Sequence, residues 1–338
     1  MRAAPGARNP AELDLLRQIR RRTRSGGPVI LGIGDDCALL RARPGEEIAV
    51  TTDLNIDGHH FRLSWHPPES VGHRTLARGL SDLAAMGARP LAAFVSLGLP
   101  PTLVRPGQGG ASWISRFYDG MLSLADKSSV ALAGGDLSES PVALADIVLI
   151  GAVPRGNALL RSGARPGDAI YVTGALGASA AGLARMAGHA RASKPTARLR
   201  IPPSWAPLLQ PHLFPQPRLR QGAWLRAHRA ATAAIDLSDG LSIDLAHICE
   251  ESRVAAEIDA TAIPLGPGAT LEQALHGGED YELLFSARPD VPIPRRIATV
   301  PVTRIGRIIR YRAGNPAITL FMPTGSRPLQ PRGWQHFT

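Results

Sequence analysis

Lysine is nearly absent from this chain of 338 residues: Lys127 and Lys194 are the only two among 38 basic side chains, leaving 36 arginines. Neither lysine follows glycine in a G-K-[ST] sequence, which excludes a P-loop, and neither lies in the V-A-I-K context of a protein kinase. Cysteine is equally scarce. Cys37 and Cys249 lie far apart and form no C-x-x-C pair, so neither a disulfide framework nor a thiolate metal site is indicated, and a reducing cytoplasm is expected. Long apolar runs are missing too, because Asp146 interrupts the best candidate, and the arginine-rich N-terminal stretch lacks the apolar core of a signal peptide. Neither export nor a membrane partner is expected.

What is present points to a globular protein: 44% of the residues are hydrophobic, enough for a sizeable core and for two domains. The net charge of +10 raises nucleic-acid binding as a function. The one dense basic run, Arg20-Arg21-Arg22-Thr23-Arg24, instead closes a predicted helix with Asn9 as N-cap, Pro10 at N1 and Glu12 at the capping-box position, ended by Ser25-Gly26-Gly27. Cations belong in such a last turn, so no nucleic-acid partner is expected.

Strands and helices alternate twice. Glu47 to Thr52 reads as a strand, Ser70 to Met86 as a helix carrying Leu76, Leu80 and Leu83 and closed by Gly87, then a helix near Trp113 to Lys127 and a strand near Ala143 to Val153. The pattern restarts with a strand over Ala169 to Thr173 and a small-residue helix over Ala178 to Ala187. Gly188 to Gly222, rich in proline and arginine and without a clear period, reads mostly as connecting structure, and elements resume from Ala233 to about Met322. Two α/β domains joined near residues 154 to 165 are expected.

Carboxylates sit at the ends of these elements. L-G-I-G-D-D-C-A-L-L places Asp35 and Asp36 side by side, a pair that repels unless a cation compensates, although a turn between strands also uses glycine and aspartate. Asp53 ends T-T-D, Asp82 lies in the last turns of a helix where the macrodipole disfavours an anion, and Asp136 ends A-G-G-D. Asp236 and Asp239 frame I-D-L-S-D-G-L, with Ser238 and Asp239 at a predicted helix start, where an N-cap role is the plainer alternative. Hard oxygen ligands with no matching lysines suit Mg²⁺, and Mg²⁺ held this way accompanies a phosphate substrate. T-G-A-L-G (Thr173 to Gly177) either supplies amides to a phosphate or simply enters a helix.

The segments G-I-G-D-D-C-A-L-L, T-T-D-L-N-I-D-G-H-H-F, L-S-D-L-A-A-M-G-A, G-G-D, G-D-A-I-Y-V-T-G-A-L-G, I-D-L-S-D-G-L-S-I-D-L and G-G-E-D-Y-E-L-L-F appear in the order found in thiamine-monophosphate kinases. The chain resembles that family from about residue 28 to its end. The resemblance implies the α/β, two-domain fold of the aminoimidazole ribonucleotide synthetase-like ATP enzymes. Residues 1–155 would form an ATP- and Mg-binding domain that dimerises through a β-barrel, and 156–338 an α/β domain completing the phosphate and substrate site.

The resemblance further implies a Mg²⁺-dependent phosphorylation of thiamine monophosphate by ATP, in a homodimer. It makes Asp36, Thr51, Thr52, Asp53, Asp82, Asp136, Asp236 and Asp239 metal ligands, directly or through water, with Asp53, Asp136, Arg161 and Asp236 central to transfer. Tyr118, Gly135, Asp136, Arg161 and Ser238 match nucleotide-binding positions, and His60, Glu279 and Trp334 match substrate positions. An aromatic face at Trp334 also suits a cationic thiazolium. The chain departs from the family at Gly79, usually Asn; at Leu137-Ser138, usually Thr-Thr; and at Phe214, where an arginine is lost. Another ATP-using synthetase or maturation ATPase of the same superfamily, or a non-catalytic nucleotide-binding protein, are the alternatives.

Overall fold

The computed structural model describes residues 17–23, 26–34, 36–105, 112–191 and 199–333. Asn9, Pro10 and Glu12 lie outside them; residues 17–22 are helical, and Arg22 ends on Asp119 and on the Ser115 carbonyl at 3.2 Å. Part of the basic run is thus docked on the protein itself. Among the described residues no helix is long and apolar enough to cross a membrane.

A two-stranded ribbon, β1 (Val29–Leu31) and β2 (Leu39–Leu40), precedes a four-stranded sheet of β3 (Glu46–Ile56), β4 (Arg89–Leu99), β5 (Ala131–Glu139) and β6 (Leu144–Pro154). Its order is β3-β6-β4-β5, antiparallel except for β4 and β5. The parallel pair requires a crossover, and helix α2 (Trp113–Ser128) lies in it; helix α1 (Pro68–Ala85) connects β3 to β4. The sheet is open: no barrel closes within the described residues of the chain, and the expected barrel is not seen here.

Both helices cover one face of this sheet. Leu76, Leu80 and Leu83 of α1 and Ile114, Phe117 and Met121 of α2 form a core with Ile147 and Leu149 of β6. The helices approach at two glycines, since a Cβ on Gly72 would lie 1.9 Å from the Phe117 carbonyl oxygen and one on Gly120 1.8 Å from that of Glu69. No other residue fits either place. Along β3 the pleat turns Thr51, Asp53 and Asn55 toward the helices and Ile48, Val50, Thr52 and Leu54 to the opposite face.

The C-terminal half runs β7 (Ala169–Thr173), α3 (Ala178–Arg191), α4 (Ala206–Leu213), α5 (Leu219–Ala227), β8 (Ala233–Asp236), α6 (Leu241–Ser252), β9 (Val254–Asp259), α7 (Leu271–His276), β10 (Leu283–Ala287), β11 (Arg296–Ile297), β12 (Val300–Arg310), β13 (Ile318–Met322) and β14 (Gly325–Pro328). The sheet order is β14-β13-β9-β12-β7-β10-β8, with β11 paired to β12, and only β13 and β9 are parallel. Helices α4 and α5 correct the expectation that 188–222 is mostly connecting structure. Pro211 inside α4 hid the first from a periodicity argument.

Helix α1 also belongs to the second half. A Cβ on Gly222 of α5 would lie 1.8 Å from the Ala84 carbonyl oxygen, and Arg226 donates from Nε to the Gly87 carbonyl at 2.8 Å. One side of α1 is buried in the N-terminal core; its edge of Arg74, Arg78, Ser81 and Asp82 faces β8, α4 and the turn before β10.

Candidate active site

A cleft of about 620 Å³ opens along that edge, lined by Asp53, Asp82, Asp236, Ser238 and Asp239 and also by His60 and Glu279. The fold brings its acids from three separate elements: Asp53 from β3, Asp82 from the last turn of α1, and Asp236 from the end of β8. Each has a specific partner. Thr51 Oγ1 donates to Asp82 Oδ2, Ser81 Oγ to Asp236 Oδ2 at 2.7 Å, and Arg78 Nη2 to Asp53 Oδ1 at 3.3 Å.

Burial pushes all three carboxyls above the ordinary carboxylate range, and mutual repulsion adds to it: Asp236 and Asp53 act on Asp82, and Asp53 acts on Asp236. The positive charge of exposed Arg161 opposes the rise at both Asp82 and Asp236. Such a cluster accumulates negative charge that a cation would stabilise. Among the described residues, however, no three histidine, cysteine or acidic side chains are arranged to hold a metal ion by themselves.

The motifs around the cleft show how backbone shape aims the side chains. Glu279 (φ 67°) and Tyr281 (φ 51°) are left-handed without being glycine, held by bonds from Glu279 N to the Ser238 carbonyl at 2.8 Å and from Tyr281 N to that of Leu237 at 2.9 Å. Strain of this kind is retained where a side chain must point one way. Helix α6 begins at Leu241 with Gly240 as its cap, and Asp244 reaches back to the Gly240 and Asp239 amides at 3.0 and 3.2 Å. The predicted capping by Ser238 or Asp239 is therefore replaced by Asp244, and both residues line the cleft instead.

T-G-A-L-G is ordinary helix entry. Its Gly174, Leu176 and Gly177 amides are taken by the Pro301 carbonyl, the Pro264 carbonyl and Asp280 Oδ2 at 2.9, 2.8 and 2.6 Å. The phosphate-cradle alternative is thereby corrected.

A second cleft of about 380 Å³, between the loop that joins β1 to β2 and strands β4 and β5, contains Asp36, Tyr118, Gly135 and Asp136 together with Leu137. Gly135 has φ +144° and a Cβ there would lie 1.8 Å from the Val95 carbonyl oxygen, so the G-G-D turn of β5 requires glycine. Tyr118 is buried, its ring edge-on to Phe117 with centroids 5.5 Å apart. Thr52 is separated from its neighbours: its side chain is on the far face of β3 and donates to Asp146 at 3.0 Å. Asp35 and Trp334 lie outside the described residues.

Apart from Arg161, sequence reasoning missed the cations around this site. Arg74 of α1 is almost fully buried and joins the two halves, donating to Glu279 Oε1 at 2.6 Å, to the His60 carbonyl at 3.1 Å and to the His212 carbonyl at 2.8 Å. His212 in turn meets His66, Nε2 to Nε2 at 3.1 Å, and Ser179 Oγ at 3.0 Å. Arg218 grips Glu282 through both Nε and Nη2. The four-residue spacing of Arg74, Arg78 and Asp82 on a predicted helix was a legible signal. The contact of Arg218 with Glu282, 64 residues apart, was not. At two departures, a Cβ on Gly79 would lie 2.7 Å from Leu149 Cδ1, and Phe214 packs edge-on against His73 at 5.3 Å.

Residues 34–153 match the family described as AIR synthase related protein, N-terminal domain, and residues 165–309 its C-terminal domain. A thiamine-monophosphate kinase of Salmonella typhimurium strain LT2 is 37% identical over 339 aligned residues, covering 96% of this chain and 98% of that one. The crystal structure of the thiamine-monophosphate kinase from Stenotrophomonas maltophilia K279a superposes with a TM-score of 0.75 at 37% identity, covering 92% of this chain and 95% of that one. AaThiL complexed with AMPPCP and TMP superposes with a TM-score of 0.73 at 29% identity, covering 99% and 100%. With the acids of both halves gathered on one cleft and these matches spanning nearly its whole length, the chain belongs to the AIR synthase related family, in its thiamine-monophosphate kinase branch.

Proposed function

We propose that this chain transfers the γ-phosphoryl group of ATP to the phosphate of thiamine monophosphate, giving thiamine diphosphate and ADP, with Mg²⁺ as cofactor. The observation that carries the reading is the convergence of Asp53, Asp82 and Asp236 from three elements on one cleft that His60 and Glu279 also line. The AaThiL complex with AMPPCP and TMP, an overlay covering 99% of this chain, supports the same pair of substrates.

Mg²⁺ fits these residues because it keeps waters and shares its shell with substrate phosphates, needing only one or two protein carboxylates. A cluster that does not complete a site on its own, and whose charges repel, has the donor chemistry for this. Asp53, Asp82, Asp236, Asp239 and Thr51 would hold the ion in the larger cleft, and Asp36 and Asp136 in the smaller. Thr52 would join only through its main chain or water, since its side chain faces Asp146. When bound, the ion offsets negative charge on phosphate oxygens.

The chain's own groups do the rest. Gly135, Asp136, Tyr118, Ser238 and Arg161 hold the nucleotide, with Arg161 meeting phosphate charge as a forked donor. His60, Glu279 and Trp334 hold thiamine monophosphate, the carboxylate of Glu279 facing the cationic thiazolium. The acceptor is a phosphate monoester oxygen with a second pKa of about 6, already deprotonated at neutral pH, so no residue acts as general base. Positioning and charge neutralisation carry the transfer.

Residues 1–155 form the dimerising domain in this reading and 156–338 the second. Exposed Ile48, Val50 and Leu54 on the outer face of β3 support a homodimer in which a second copy covers that face and completes the barrel. Two free cysteines suit a cytoplasmic protein.

The test is ADP release by the purified protein with ATP and Mg²⁺, with and without thiamine monophosphate. Release that depends on thiamine monophosphate and yields thiamine diphosphate is expected; release indifferent to it would replace the reading with a plain ATPase.

A further inference from the structure

Helix α1 carries two arginines one turn apart on the edge that faces the cleft, and they are held very differently. Arg74 is 3% exposed and fully engaged, with bonds of 2.6 to 3.1 Å to Glu279, His60 and His212. Arg78 has one long bond, Nη2 to Asp53 Oδ1 at 3.3 Å, and its Nη1 stands 3.8 Å from Glu279 Oε1. Its Nε is closed off from solvent and has no partner. The side chain lines the larger cleft and is 16% exposed.

A buried N–H without an acceptor is costly, on the order of 1–3 kcal/mol, and native structures rarely leave one without a reason. Arg78 is a planar fork of donors, most of them without a close acceptor, between a carboxylate at the transfer site and Glu279 on the thiamine side. Guanidinium groups in that situation match the paired oxygens of a phosphate. Arg78 lines the larger cleft beside His60 and Glu279, the acceptor-holding residues, and not the cleft of Asp36, Gly135 and Asp136; of the nucleotide-holding residues only Ser238 shares its cleft, which points to the acceptor's phosphate.

We infer that Arg78 binds the phosphate of thiamine monophosphate, drawing it toward Asp53 with Glu279 beside the cationic ring. This rests on the function proposed above and names the residue that recognises the acceptor's anionic end. Turning from Asp53 into the cleft brings the Nε proton, closed off in the arrangement seen here, to the phosphate along with the Nη donors, and the weak bond to Asp53 is given up, leaving that carboxylate to the cation of the site. It also accounts for preference: free thiamine lacks the group Arg78 holds.

The experiment measures binding by calorimetry, without ATP or added metal, of thiamine monophosphate and of thiamine to the wild-type protein, Arg78→Met and Arg78→Lys, with steady-state kinetics on the same proteins. Losing a charge-assisted forked contact corresponds to roughly ten- to hundred-fold in affinity. Arg78→Met is expected to weaken thiamine monophosphate binding by that factor while thiamine binding stays within two-fold of wild type, to raise KM for thiamine monophosphate more than it lowers kcat, and to leave KM for ATP unchanged. Arg78→Lys, which keeps charge and stem, should fall between. Equal affinity of wild type and Arg78→Met for thiamine monophosphate would overturn the inference, as would equal losses for both ligands or a loss confined to ATP. If Arg78→Met does not fold, Arg78→Lys decides: unchanged affinity contradicts the role. Should the wild type make no thiamine diphosphate, the kinase reading fails, yet a phosphate-dependent affinity lost in Arg78→Met would still assign Arg78 to a phosphomonoester.

Discussion

Asp82 is placed where a helix least tolerates an anion, in the last turn of α1, half-buried, and beside two more acids. Among the described residues its one close donor is Thr51. Such a residue lowers stability in exchange for function. Asp82→Asn is expected to abolish thiamine diphosphate formation while raising the melting temperature of the metal-free protein by several degrees, checked by turnover and scanning calorimetry on one preparation. A variant with normal turnover would contradict the metal role. The buried pair His66 and His212 makes a separate prediction. Burial, then the charge of Arg74, pull both rings below their usual value, His66 to about 3. The unfolded chain takes a proton near pH 6.5 and the folded one does not, so stability is complete above that pH and declines as it falls toward 3. Linkage gives about 1.4 kcal/mol lost per histidine between pH 7.5 and 5.5. Urea titrations at the two values should show a correspondingly smaller loss for His66→Gln.

At the scale of elements, α1 carries most of the fold's meaning, and its helical period, Gly87 stop and three leucines were legible in the sequence. So were β7 and the span of α2. Strands β4 and β5 were not: β4 is buried on both faces and reads as continuous apolar sequence without alternation, and β5 is interrupted by the glycines that the G-G-D turn requires. Helices α4 and α5 were missed because their burial follows from packing on α3 and α1, which a local window does not contain. The α1 and α2 contact is set by glycine against backbone. Gly120→Ala, which helix propensity alone would favour by about 1 kcal/mol, should instead destabilise by about 2–4 kcal/mol, because the new methyl meets the Glu69 carbonyl at 1.8 Å. A denaturant midpoint at or above wild type would show that the helices separate freely.

Over the whole molecule, the motif series made family and acid cluster legible, because aspartates at element ends keep their identity in one dimension. What stayed hidden were contacts that exist only after folding: Arg78 on Asp53, 25 residues apart, and Arg74 on Glu279, 205 apart. The outer face of β3 makes the prediction at this scale. Val50 is 63% exposed and should be covered by a second copy, so Val50→Asp is expected to convert a dimer into a monomer in sedimentation velocity. A wild-type monomer at micromolar concentration would contradict the shared barrel. The account as a whole turns on the acceptor, and the most direct measurement is product analysis of the purified protein with ATP and Mg²⁺ given either thiamine monophosphate or thiamine. Thiamine diphosphate and ADP formed in equal amounts from the first, with almost no ADP from the second, is the predicted result; comparable ADP from both, or ADP without thiamine diphosphate, would contradict it.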